Sequence, residues 1–408
     1  MQEWQDWVLP NGIRVVHVFE THSKVAHCGL MVNTGSRDET EAEQGLAHYI
    51  EHALFKGTSK RKAYHILSRI DSVGGELNAY TSKEETAIYA SFGNEHFGRA
   101  VELIADVTFH STFPEKEIEK EKEVILDEIN SYLDSPSEQI FDDFEELVFD
   151  GHALGKNILG TEETVRSFTP SDVLNFMKAN YCTHEMVFSV VGNIKASQVH
   201  YFVNKYLAPI PSSKKTKQRV FDVAALPKNV LVKKDTHQAH FMWGARAYPM
   251  KHENSATLIL VNNLLAGPAM NTRLHLSLRE KRGIAYHVES TYQPYTDTGI
   301  TTIYLGTDQK AIPKCQKVIR AELDLLSNKK MGVKQFSMAK TQLKGHVLLS
   351  KESRVNAMLG YAKSILHIDK IETDLEVLNK IDSINQVQIM DVTNEIWCKS
   401  ATYELVYI

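Results

Sequence analysis

A stretch rich in Pro, Ser and Lys at residues 209–219, PIPSSKKTKQR, carries no apolar periodicity and divides the 408-residue chain nearly in half. Such a composition reads as an exposed linker, and a chain of this length exceeds one ordinary core. The two halves repeat an order of elements. In the first, a strand-like run at 25–33 precedes a helical pattern at 45–56, and a β-rich stretch at 76–91 leads into an apolar helix at 97–109. In the second, a run at 239–247 precedes a helix at 255–266, and strands at 286–292 and 300–305 precede a helix at 312–326. A duplicated domain leaves this kind of trace; two unrelated mixed domains are the plainer alternative. The expected fold class is α+β, with two tandem domains of similar topology, each a mainly antiparallel sheet with helices packed on it. Their expected limits are 1–208 and 220–408, joined by the linker at 209–219.

With 43% hydrophobic and 24% charged residues, the chain can bury a sizeable core. A formal net charge of −5 gives no electrostatic reason to expect nucleic acid or an anionic membrane as partner. Cys28, Cys182, Cys315 and Cys398 are far apart and form no CxxC pair, which argues against a disulfide framework and a thiolate metal site. The start, MQEWQDWVLPNGIRVV, lacks the basic and apolar runs of a signal peptide, and no apolar stretch of about 18 residues follows. A cytoplasmic protein is expected, or a periplasmic one if a signal was removed.

On a helix turning about 100° per residue, His48, Glu51 and His52 share one face, while Leu46, Ile50, Ala53 and Leu54 form an apolar stripe on the other. Two imidazoles one turn apart are a common zinc-ligand spacing, and a carboxylate beside the second can reach a water on the metal. The order His-x-x-Glu-His inverts the commoner His-Glu-x-x-His. A pair of surface histidines on an amphipathic helix gives the same five residues. A second helix, EKEIEKEKEVILDEINSYL, begins after Pro114 and sets Glu128 on the side of Val124, Ile125 and Tyr132, with Glu121 two turns earlier. A carboxylate on an apolar face is costly unless paired or bound to metal, although Lys120 or Lys122 could neutralise it. His, His and Glu with an open position is a standard catalytic zinc set. Glu128 is therefore the expected third ligand, and Glu121 the carboxylate behind the ligands.

These residues sit in GLAHYIEHALFKGT (45–58), GGELNAYTSKEETAIYA (74–90), EKEVILDEI (121–129), NYCTHEMVFSVVGNI (180–194) and LHLSLREKRGIAYHV (274–288). Together they make the chain resemble the inverzincin peptidases of the pitrilysin and insulinase family, especially two-domain subunits like those of mitochondrial processing peptidase. The resemblance spans most of the chain. It implies that Glu128 and Glu121 hold the places of the family's third ligand and second glutamate. It implies that Asn78 and Ala79 belong to an edge strand that pairs with the substrate backbone. It also implies that Arg279 and Tyr286 form an Arg/Tyr pair reaching the substrate and the oxyanion.

The activity so implied is a zinc-dependent endopeptidase with one Zn2+ per chain, acting on unfolded peptides or oligopeptides in extended conformation. Glu51 would serve as general base and then acid, and Tyr286 with Arg279 would stabilise the oxyanion. One chain supplies half of the four-domain chamber the resemblance implies, so a homodimer is expected, with a heterodimer containing a zinc-less paralogue as the other arrangement. The competing class is a non-catalytic structural or assembly subunit, in which a ligand or the base is usually lost.

Overall fold

The computed structural model describes residues 4–215, 218–222, 226–234 and 236–408. Its strands are β1 (Trp4–Val8), β2 (Arg14–Phe19), β3 (Val25–Val32), β4 (Glu76–Thr81), β5 (Thr86–Gly93), β6 (Met186–Gly192), β7 (Asn229–Val232), β8 (Ala239–Ala247), β9 (Ala285–Pro294), β10 (Gly299–Thr307) and β11 (Thr402–Tyr407). The helices that matter for the site are α1 (Leu46–Ala53), α2 (Ala63–Asp71), α3 (Phe97–Phe109), α4 (Glu115–Leu133) and α5 (Pro136–Val148). The expected α+β class and paired architecture hold. Two mostly antiparallel sheets form, one of six strands ordered β1-β2-β6-β3-β5-β4 and one of five ordered β7-β11-β8-β10-β9. Each contains one parallel pair, β2 with β6 and β7 with β11. Among the described residues no helix is long and apolar enough to cross a membrane.

The chain forms two compact units that interleave in sequence. The first comprises Met1–Asn130, Lys156–Arg219 and Ser350–Ile371, and the second Ser131–Gly155, Val220–Leu349 and Glu372–Ile408. In the first, alternate strand residues point to opposite faces. Val15, Ala26, Cys28, Leu30, Ile88 and Phe188 pack into the main core with α1 and α3. Val16, Met31, Ala87 and Val187 face the other way and are covered by Ala362, Ile365 and Leu366 of the helix Arg354–Ile368. In the second unit, Phe241, Trp243, Ile303 and Leu305 face the helices Ser255–Ala266 and Ile312–Asn328. There Met242, Ile300, Tyr304 and Leu405 are covered by Ile140, Phe144 and Val148 of α5. Each unit thus takes one covering helix from the other half of the sequence.

Among the described residues of 209–219, Pro209, Pro211, Ser212, Lys214 and Gln218 are exposed, as the composition suggests, while two of its cations are tied down. The Lys215 ammonium lies 2.7 Å from Asp38 Oδ1, and the Arg219 guanidinium lies 2.6 Å from Asp38 Oδ2 and donates to the Glu84 carbonyl. Both cations are nearly buried because that carboxylate neutralises them. Burial alone would raise Asp38, but Arg219 and then Lys215 hold its carboxyl below the usual range.

A second buried ion cluster secures the β4–β5 turn to the helix Arg354–Ile368. The Glu85 carboxylate accepts from Lys363 Nζ and lies 3.4 Å from His367 Nε2. Burial would raise Glu85, yet His367 and Lys363 outweigh it and bring the carboxyl down to about 2, from an ordinary 4.5. A depressed carboxyl stabilises the fold fully above its unfolded pKa and loses that contribution as pH falls through the folded one. The contribution, about 3 kcal/mol by linkage, should therefore disappear between about pH 4.5 and pH 2. Denaturant midpoints at pH 7 and pH 3 test this. The drop should be clearly smaller in Glu85→Gln than in the wild type, and equal drops would show that Glu85 is not the titrating group.

Candidate metal centre

The geometry of the site starts at the N-terminus of α1. Gly45 has φ 92°, in the left-handed region, and a Cβ there would lie 2.6 Å from the Leu159 carbonyl oxygen and 2.7 Å from Gly160 Cα. Only glycine fits this turn. The first N–H groups of the helix are satisfied by Glu39, which accepts from Gly45 N at 2.9 Å and Ala47 N at 2.7 Å. Burial pushes the Glu39 carboxyl up to about 8, against the pull of those two amides. Leu46, Ile50, Ala53 and Leu54 are fully buried, so the expected apolar stripe docks α1 onto the core. The Tyr49 hydroxyl donates to the Ile118 carbonyl at 2.6 Å and ties α1 to α4.

With both helices fixed, His48, His52 and Glu128 come together. One ligand atom from each lies within 4.8 Å of the others. Glu128 Oε2 stands 3.9 Å from His48 Nε2 and 3.7 Å from His52 Nε2. Two ligands bonded to one tetrahedral zinc at 2.0–2.1 Å are about 3.4 Å apart, so the two separations from Glu128 are within about half an ångström of that spacing, and the three side chains fit a zinc ion after small side-chain shifts. Burial, helped by His52, lowers His48 to about 4 and keeps it neutral at pH 7, as a metal-ligating imidazole must be.

Glu121 is a buried carboxylate behind His52. Its Oε1 lies 2.9 Å from His52 Nδ1, and its Oε2 lies 2.5 Å from Lys56 Nζ. Burial would raise it, but His52 and Lys56 together hold it below the usual range. The bond to Glu121 raises His52 despite burial. It also puts the Nδ1 proton toward the carboxylate and leaves Nε2 free to face Glu128. His48 Nδ1, by contrast, is buried with no hydrogen-bond partner among the described residues. Glu121 therefore orients one imidazole only.

One premise of the sequence reasoning fails at α4. Val124 and Glu128 are both solvent-exposed, so Glu128 is not a carboxylate forced onto an apolar face. Ile118 and Ile125 carry the buried side of the helix instead. What singles out Glu128 is its position opposite two imidazoles.

Glu51 lies between the two histidines in sequence and outside the three-residue cluster. Burial raises its carboxyl above the usual range, with Thr81 of β4 opposing the rise. α1 packs against β4. β4 is the edge of its sheet and pairs with β5 alone, Asn78 opposite Tyr89 and Ala79 opposite Ile88. Asn78 is exposed, and Ala79 packs on the main core. In the second unit, Arg279 closes the π-helical turn His275–Glu280 and lies 3.7 Å from Glu280, while Tyr286 on the edge strand β9 is 80% exposed.

The profile of the insulinase family, peptidase family M16, matches residues 14–162, and that of the peptidase M16 inactive domain matches residues 167–343. The chain belongs to peptidase family M16. Among its M16 relatives, the uncharacterized zinc protease YmxG of Bacillus subtilis is 34% identical, covering 98% of this chain and 97% of its own length. An uncharacterized zinc protease of Rickettsia felis is 29% identical, over 98% and 96%. Two solved structures share the M16 fold. A protease from Helicobacter pylori superposes with TM-score 0.90 at 20% identity over all of both chains. A protein described as peptidase M16 inactive domain, from Pseudomonas fluorescens, gives 0.90 at 17% identity over 99% and 98%.

Sequence reasoning missed Lys56, Tyr49 and Glu39. Tyr49 and Lys56 act on α4, which only the folded chain brings near. Glu39 caps α1 from six residues before Gly45, outside the spacing of a capping box.

Proposed function

We propose that the protein is a zinc-dependent endopeptidase acting on peptides in extended conformation, with one zinc ion per chain. The observation that carries this reading is the convergence of two neutral-capable imidazoles and one carboxylate beside a fourth, separate acid, Glu51. His48, His52 and Glu128 would hold the metal, and three protein ligands suit a catalytic rather than a structural site. When bound, zinc supplies a Lewis acid that polarises a carbonyl and makes water more acidic.

The chain's own residues do the rest. Glu51 takes a proton from the attacking water and passes it to the leaving amine; its burial-raised pKa brings it closer to the working pH, where such exchange is efficient. Glu121 keeps His52 in one tautomer. β4 offers unpaired backbone groups along Asn78 and Ala79 to an extended peptide, a strand-addition mode that favours unfolded chains. Arg279 and Tyr286, supplied by the second copy in a homodimer, stabilise the oxyanion.

The test is metal analysis with peptide cleavage. The purified protein should carry stoichiometric zinc and cleave a short peptide, lose that activity to a chelator, and regain it on zinc addition. Cleavage indifferent to chelation would overturn the assignment. For the dimer, light scattering should give twice the chain mass, and a fully active monomer would reject it.

A further inference from the structure

The first unit carries another constellation, built on different residues. Lys60, Arg61, Arg69 and Arg99, with Ser68 and Ser72, surround a cavity of about 450 Å3 that no acidic side chain lines. His65, Ser68, Arg69 and Ser72 recur at the spacing of a single helix face along α2 and its C-terminus. Ile66 and Ile70 of the same helix are fully buried and hold it against the core. α2 therefore presents the cavity with one rigid face of donors.

The three guanidinium groups are positioned from behind. Arg61 is gripped by Glu102 at 2.7 and 2.8 Å and by Asp106 at 2.6 Å, and Arg69 reaches the same Glu102 at 3.3 Å. Arg99 donates to the Arg69 carbonyl at 3.0 Å. Lys60 N and Arg61 N both donate to Thr58 Oγ1, which in turn donates to Asp106. Neither Lys60 nor Arg99 has a carboxylate within ion-pair distance among the described residues. Three held guanidinium groups and the Lys60 ammonium thus face two carboxylates, which leaves an excess of two positive charges. Arg69 Nε is in addition a buried donor without a partner, a costly state for a charged group.

Guanidinium forks held in place, an ammonium and two hydroxyls are the donors that recognise a tetrahedral oxyanion. The excess charge matches a dianion. The cavity is also much larger than one such group, leaving room for an organic substituent. We propose that this cavity binds a small phosphate monoester through Lys60, Arg61, Arg69 and Arg99, with inorganic phosphate as the other source of the same chemistry.

Calorimetric titration of the full chain with phenyl phosphate and with inorganic phosphate, at ionic strength fixed with chloride, tests this. Saturable binding at one site per chain is expected, weakened about tenfold in Arg99→Gln and in Lys60→Gln, as for loss of one charge-assisted contact. Lys60 is exposed, so its substitution leaves the fold unchanged. Tighter phenyl phosphate assigns the cavity to monoesters; equal affinity assigns it to free phosphate. The absence of saturable binding by either anion would overturn the proposal. So would binding unchanged in both variants, which would place the anion elsewhere, the metal residues included. Neither result depends on peptidase activity.

Discussion

Glu51→Gln is expected to carry zinc as the wild type does while its kcat on a short peptide falls by about 10²–10⁴-fold, the usual worth of a positioned general base. The two side chains have the same shape, so the half-buried place beside Thr81 is kept. What the amide lacks is the ability to take a proton. Because Glu51 stands outside the group formed by His48, His52 and Glu128, the metal residues stay intact. Steady-state kinetics beside metal analysis of the same sample separates the outcomes. Wild-type turnover would remove Glu51 from the mechanism, and loss of zinc would make it a ligand.

The second large effect is expected at α4, where two glutamates one above the other have different tasks. Glu128 is exposed and makes no structural contact that its loss would orphan, so Glu128→Ala should fold normally and lose stoichiometric zinc. Glu121 touches the metal residues only through His52 Nδ1, so Glu121→Gln should keep zinc with affinity reduced about 10–100-fold, the range for an orienting partner of a ligand. Competition against a chromogenic chelator measures both. Wild-type affinity in Glu128→Ala would mean that the third ligand is another residue.

Local periodicity made α1 readable from the sequence. His48, Glu51 and His52 share a face by helical geometry alone, and the buried stripe Leu46, Ile50, Ala53 and Leu54 follows from the same spacing. Glu128 was reached by sound chemistry from an unsound premise, since the face holding Val124 and Glu128 meets solvent. The contacts that align the site are long-range, such as Tyr49 to Ile118 and His52 to Glu121, each 69 residues apart, and no pattern within either helix announces them. Composition is silent on two cations within 209–219 for a related reason. Lys215 and Arg219 look like solvated charges until Asp38, 177 and 181 residues away, neutralises them. The repeated order of elements did disclose paired α+β architecture. It could not disclose which apolar helix covers which sheet, because α5 and the helix Arg354–Ile368 have no local feature that tells their destinations apart.

That trade of helices makes the two halves of the gene dependent on each other. A fragment ending near residue 219 would leave the sheet face of Val16, Met31, Ala87 and Val187 bare, and would carry α5 with nothing to cover. Each large aliphatic side chain stranded in this way forfeits about 1.5–3 kcal/mol. A protease nick at 209–219 would yield two pieces that stay clasped, since each unit is stitched from both. Complementation between separately made halves is then the natural state of the cut protein, and neither half alone could complete both of its sheet faces.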